Sequence, residues 1–136
     1  MTAPDIDQLL EKFNCNPPSR TAAITEVETK SGLSLPVEYR DFLLYANGGE
    51  GFVGPNAYLI LWRIEELVSM NTAYEVGLNA PGLFVFGSDG GGEAYAFDFQ
   101  VESVPIVRLP FVGMERKAIH VEAAGFVAFL EALFRS

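Results

Sequence analysis

FGSDGGGEAYAFD, Phe86 to Asp98, decides how the chain is read. It holds four glycines and three carboxylates, Asp89, Glu93 and Asp98. Glycine-rich segments cradle phosphates, and regularly spaced acids bind calcium. A phosphate loop passes from a strand into a helix, so that backbone N–H groups and the helix dipole face the anion. Here EAYAFDF follows the glycines. Tyr95, Phe97 and Phe99 alternate with Ala94, Ala96 and Asp98, which is the period of a strand. The stretch also lacks the spacing of G-x-G-x-x-G and the Lys-Ser/Thr pair of a P-loop. Its acids do not follow the ligand spacing of an EF-hand. The physical expectation is a hairpin. Two strands meet at Ser88 to Gly92, where glycine supplies the positive φ angles of a tight turn.

Working outward, LFVFG (Leu83 to Gly87) and EAYAFDF (Glu93 to Phe99) are the hairpin strands. AYLILW (Ala57 to Trp62) is a short apolar run after Gly54 and Pro55, so it reads as a strand. PIVRL (Pro105 to Leu109) is another, with its proline at the tolerated first position. Between them, RIEELVSMNTAYEV carries Ile64, Leu67 and Val68 on one side and predicts a helix.

The ends read as helical. Ile6, Leu9, Leu10 and Phe13 have the spacing of one helix face, with Pro4, Asp5 and Asp7 in its first turn. NCNPPS breaks it. Ser19 is the expected N-cap of a second helix, with Ile24 and Val27 buried and Gly32 at its end. A third begins near Pro36, with Tyr39, Phe42, Leu43 and Ala46 on one face, and Asn47 to Gly49 stop it. AAGFVAFLEALF places Phe126, Phe129, Leu130 and Leu133 on the face of a last, deeply packed helix. A partner-docking helix is the alternative. Helices at both ends with strands between them predict an α+β fold, with a largely antiparallel sheet and helices flanking it.

The 136 residues have the size of one domain, 1–136. With 49% hydrophobic residues, including 11 Phe and 5 Tyr, they can fill a sizeable core. Nine basic against 18 acidic residues give a net charge of −9. Such a surface repels nucleic acid and anionic membrane, and suits a basic protein partner or plain solubility. Cys15 is the only cysteine and lies in a proline-rich connector, so no internal disulfide forms. MTAPDIDQLLEKF lacks a signal-peptide pattern and no apolar run spans a membrane, so a cytoplasmic location is expected.

Catalytic chemistry has little to work with. The one histidine, His120, lies in KAIHVEAA near the start of the predicted last helix. A lone histidine is more often structural. There is no G-x-S-x-G, H-E-x-x-H or Cys-x-x-Cys motif, and no cofactor or metal motif. Glu65 and Glu66 are adjacent on a helix and do not face each other.

The order of motifs carries a resemblance. LPVEYRDFLLYANGGEG (Leu35 to Gly51) resembles the L-P-x-x-[YL]-x-x-F-L-x-x-x-N-G-G segment of the SUKH superfamily, which includes the SMI/KNR proteins. ITEVE (Ile24 to Glu28) is similar to its preceding helix, with a typical glutamate. YLILWRIEEL (Tyr58 to Leu67) is similar to its strand-to-helix passage. Pro81 to Asp98 resembles its glycine-rich hairpin, and GFVAFLEAL (Gly125 to Leu133) its final helix. The resemblance covers about residues 19–136.

It implies an α+β SMI/KNR-like fold with a central mixed or antiparallel sheet. It also implies a non-enzymatic, protein-binding role. Bacterial members are commonly immunity proteins that neutralise a cognate toxin domain, often a nuclease; fungal members regulate cell-wall synthesis and signalling. The chain as given carries no long disordered flank, so the bacterial type is expected. A regulatory or scaffold domain for an endogenous enzyme is the alternative. A nuclease toxin needs a basic substrate groove, which an acidic protein can fill and attract. The expected interface residues are Glu50, Asp89, Glu93, Tyr95 and Asp98, at the hairpin and the turn after Asn47. The competing expectation is that these acids are merely solvated and Tyr95 is a core aromatic.

Overall fold

In the computed structural model, which describes residues 5–136, the hairpin forms as its sequence demands. Strands β4 (Leu83–Ser88) and β5 (Glu93–Asp98) pair antiparallel, from Leu83 opposite Asp98 to Ser88 opposite Ala94. Gly90 and Gly92 take φ of 77° and 101° in the turn. Asp89 stabilises it, its Oδ1 accepting from the N–H groups of Gly91 and Glu93 at 2.7 and 3.1 Å.

The hairpin is the centre of a seven-stranded sheet whose neighbours follow chain order. The other strands are β1 (Phe13–Cys15), β2 (Gly49–Val53), β3 (Ala57–Leu61), β6 (Ile106–Pro110) and β7 (His120–Ala123). Every pairing is antiparallel, so the α+β expectation holds and the sheet is not mixed.

Three of these strands were not expected from sequence. GEGFV reads as a turn because of its glycines, yet it is β2. The backbone of β1 crosses so close that a Cβ on Gly51 would meet the Lys12 carbonyl at 2.8 Å. Phe13 lies in β1, not on a helix face; helix α1 is only Ile6–Leu9. Its helical spacing is coincidental, although its side chain does reach the core. Asp5 and Gln8 form a reciprocal cap for α1; Pro4 lies outside the described residues. Cys15 is in β1 as well, and His120 in β7, well before the last helix.

Helix α2 (Thr21–Ser31) starts after Arg20, not after a Ser19 cap. The Ser19 hydroxyl donates weakly to the Arg20 carbonyl instead, at 3.4 Å. Gly32 ends the helix in the left-handed conformation, as expected. Helix α3 (Val37–Tyr45) buries Tyr39, Phe42 and Leu43 and ends before Ala46. The expected helix over 63–76 is broken into a 3-10 turn (Ile64–Glu66), α4 (Leu67–Ala73) and α5 (Val76–Asn79). Glu75, with φ of 54°, makes the last break. Helix α6 (Phe126–Arg135) buries Phe126, Phe129 and Leu130, so its face belongs to the core and not to a partner. Among the described residues no helix is long and apolar enough to cross a membrane.

Two cores sandwich the hairpin. On one face Phe84, Phe86, Tyr95 and Phe97 meet Tyr39 and Phe42 of α3 and Phe126 and Phe129 of α6. The Tyr39 ring lies 5.0 Å from Phe97 and 5.3 Å from Phe126. On the other face Leu83, Val85, Ala96, Val107 and Leu109 meet Val76, Ala80 and Met114.

Strand β3 pairs with β4 only at Ile60–Ser88 and Leu61–Gly87. Val85 would lose its neighbour there. Asn71 of α4 replaces it, accepting from the Val85 N–H and donating to its carbonyl, both at 2.8 Å. The Tyr39 hydroxyl is the reverse case: it is buried with no partner among the described residues. A buried orphan costs about 1–3 kcal/mol, whereas an apolar replacement of the same shape is near neutral. Tyr39→Phe is therefore expected to match or exceed wild-type stability in urea unfolding, and Asn71→Leu to lose about 3 kcal/mol. Equal losses in both variants would contradict this assignment.

Candidate protein-binding surface

The period of a strand sends alternate side chains to opposite faces. In β2, Gly49, Gly51 and Val53 are buried while Glu50 and Phe52 are exposed. Across the sheet, Glu50 lies opposite Asn14 and Ile60, and Phe52 opposite Tyr58. This half of the sheet turns Asn14, Glu50, Phe52, Tyr58 and Ile60 away from the helices.

The apolar side chains continue into an aromatic ridge. Phe52 and Tyr58 meet edge-on at 5.2 Å. Trp62, two residues beyond Ile60, stacks on Tyr74 at 6.2 Å with the rings 4° apart in tilt. Phe111 approaches Tyr74 to 4.6 Å and Trp62 to 6.4 Å. The Phe111 N–H donates to the Gly92 carbonyl at 3.0 Å, joining this cluster to the hairpin turn. A Cβ at Gly90 would lie 3.4 Å from the Tyr58 ring and 3.5 Å from Ile60, so the turn rests against both.

A groove of about 500 Å³ runs beside the ridge, lined by Asn14, Asn16, Glu50, Ile60, Trp62 and Glu66 among others. Asn47 holds its wall. Its Oδ1 accepts from the Ile64 N–H at 2.8 Å, and its Nδ2 donates to Glu65 at 2.7 Å. Asn16 donates to its carbonyl at 3.0 Å. Asn47, two residues past the end of α3, thus fixes the turn after Trp62. The Tyr58 hydroxyl donates to Glu50 Oε2 at 2.6 Å. That bond, with Glu50's charge, raises the Tyr58 pKa above its ordinary value.

The five expected interface residues do not stay together. Glu50 is exposed on the ridge face, and Asp89 is half-buried at the hairpin turn. Glu93, opposite Asp89 across the hairpin, pairs with Arg108 at 3.4 Å, which also bridges Glu122 at 3.2 Å. Tyr95 is buried, with its ring edge-on to Phe129 at 4.8 Å. Burial, then the charge of Asp89, pushes its hydroxyl up to about 12. Asp98 is 1% exposed and grips Arg116 through both oxygens, at 3.0 and 2.8 Å. Neither Tyr95 nor Asp98 is open to a partner in this conformation: the strand period turns Tyr95 onto α6, and Arg116 covers Asp98.

Sequence reasoning missed Phe52, Tyr58, Trp62, Tyr74 and Phe111. One signal was there. AYLILW is apolar at every position, so a strand made of it is apolar on both faces, including the uncovered one.

The family model described as SMI1 / KNR4 family (SUKH-1) matches residues 18–132. No curated protein matches the chain.

The Asp98–Arg116 pair lies inside the matched span and pins the segment before β7 to the sheet. Burial opposes ionisation of Asp98 and is the largest single influence. The Arg116 guanidinium and the Gln100 N–H together outweigh it and hold the carboxyl below its ordinary range. A depressed carboxyl stabilises the fold above its unfolded pKa, and that contribution is lost as pH falls through the folded value. Asp98→Asn is expected to cost about 2 kcal/mol at neutral pH, less than for a fully buried pair because Arg116 is 29% exposed. Below about pH 4 its urea midpoint is expected to fall less steeply than the wild type's. Parallel curves would exclude this linkage.

Proposed function

Because this chain belongs to the SMI1/KNR4 (SUKH-1) family, we propose that it is a non-enzymatic immunity protein that neutralises a toxin domain by direct binding. We take residues 1–136 as one such domain, acting in the cytoplasm. The observation that carries the reading is the family match, joined to a net charge of −9. A toxin that acts on nucleic acid presents a basic groove, because its substrate is polyanionic. An acidic protein is drawn to that groove over long range and can fill it. Binding alone suffices for the role, so no acid, base, nucleophile or cofactor is needed.

The uncovered ridge has the composition of a binding surface. Interfaces are enriched in Trp, Tyr and Phe, and a few such rings supply most of the affinity. The test reads the neighbours of its gene and co-expresses the chain with any toxin domain found there; a neighbourhood without one counts against the reading. Cells making the toxin domain alone are expected to stop growing, and cells making both to form colonies. A toxin that kills regardless, or a chain whose stable partner is a housekeeping enzyme, would overturn the reading in favour of a regulatory domain.

A further inference from the structure

We propose that the outer face of β2 and β3, bordered by Trp62 and Tyr74, docks the basic face of a folded protein. This rests on the protein-binding reading above and adds the surface and the chemistry of contact. The faces of β4 and β5 are covered on both sides. The outer face of β2 and β3 is covered less: Glu50 is exposed, Phe52 is 44% exposed and Tyr58 and Ile60 are half-buried, while beyond its edge Tyr74 is 42% exposed. Two ring clusters, Phe52 with Tyr58 and Trp62 with Tyr74 and Phe111, stand on either side of Ile60, which the hairpin turn at Gly90 approaches.

Charge selects the occupant. Glu50 and Glu66 line the groove beside the ridge, with Arg63 the one cation among the groove residues. Each of the two carboxylates is held through one oxygen. Glu50 accepts from the Tyr58 hydroxyl, and Glu66 Oε1 from the Arg63 N–H at 3.1 Å. The second oxygen of each has no partner among the described residues. A carboxylate already fixed by one bond loses less freedom when a Lys or Arg takes the other oxygen. Guanidinium groups also stack on Trp and Tyr faces. A second copy of this chain would bring like charges together, and a nucleic acid would be repelled.

The test is a titration of ¹⁵N-labelled protein with hexa-arginine peptide, followed by NMR. The Trp62 indole N–H and the amides of Glu50, Tyr58 and Gly90 are expected to shift together and saturate. Glu50→Gln with Glu66→Gln is expected to weaken the peptide roughly tenfold, with the spectrum otherwise retained. Glu26→Gln with Glu102→Gln, which removes the same charge elsewhere, is expected to leave its affinity within about twofold. Shifts spread over the acids of α2 and α3, or equal weakening by both double variants, would overturn the docking surface. So would shifts at Phe52 and Trp62 that grow with protein concentration alone, which mark a second copy, or shifts on adding a single-stranded oligonucleotide. The two readings fail separately. Protection in co-expression with a ridge untouched by the peptide removes the docking surface and leaves the immunity role standing; a peptide-binding ridge without protection does the opposite.

Discussion

Burial of the β4–β5 hairpin on both faces is the constraint on which the other elements depend. Only glycines in its turn, an aromatic side and a small aliphatic side satisfy it together. Tyr95 and Phe97 point to α3 and α6, while Ala94 and Ala96 leave room for α5 and the segment around Met114. A strand buried on both sides cannot lend its backbone to water, so each polar group needs a protein partner. That explains Asn71, whose amide stands in for a missing strand at Val85. It also explains Asp98, whose charge is tolerated only because Arg116 and the Gln100 N–H meet it.

The same constraint leaves half of the sheet bare. Helices α3 and α6 cover one side, and the short elements after Trp62 are drawn onto β4 and β5. Glu50 and Phe52 are exposed there, and the hairpin turn at Gly90 lies against the half-buried Tyr58 and Ile60. The balance of forces on that surface is easily ranked. Fully burying one aromatic side chain stabilises a complex by about 2 kcal/mol, whereas an exposed ion pair contributes about 0.5 kcal/mol. On the proposed reading the rings would hold a partner, and the acids would govern how fast it arrives and which partner is accepted.

Much of the fold was legible in the sequence because its strongest signals are local. The period of EAYAFD, the apolar spacing of Phe126, Phe129 and Leu130, and the left-handed Gly32 each depend on near neighbours. What escaped depends on distant ones. Gly49 and Gly51 look like a turn until β1 passes over them. Phe13 fits a helix face by spacing and a strand in fact. The helix after Arg63 breaks because Glu75 adopts a left-handed conformation that nothing in its sequence announces. The site was less legible. Glu50 and Asp89 were named for the turns that carry them, and neither is fully buried, but sequence could not say that Asp98 would meet Arg116 or that Tyr95 would face inward. Tyr74 and Phe111 are far from the hairpin in sequence and join it only through tertiary packing.

The central claim is that acids steer a basic partner onto an aromatic ridge that then retains it. Association and dissociation rates with the toxin domain that co-expression identifies, measured over rising ionic strength, test it most directly. The account predicts an on-rate that falls steeply with salt and an off-rate that barely changes. An on-rate indifferent to salt would contradict it, since the net charge of −9 would then play no part in recognition.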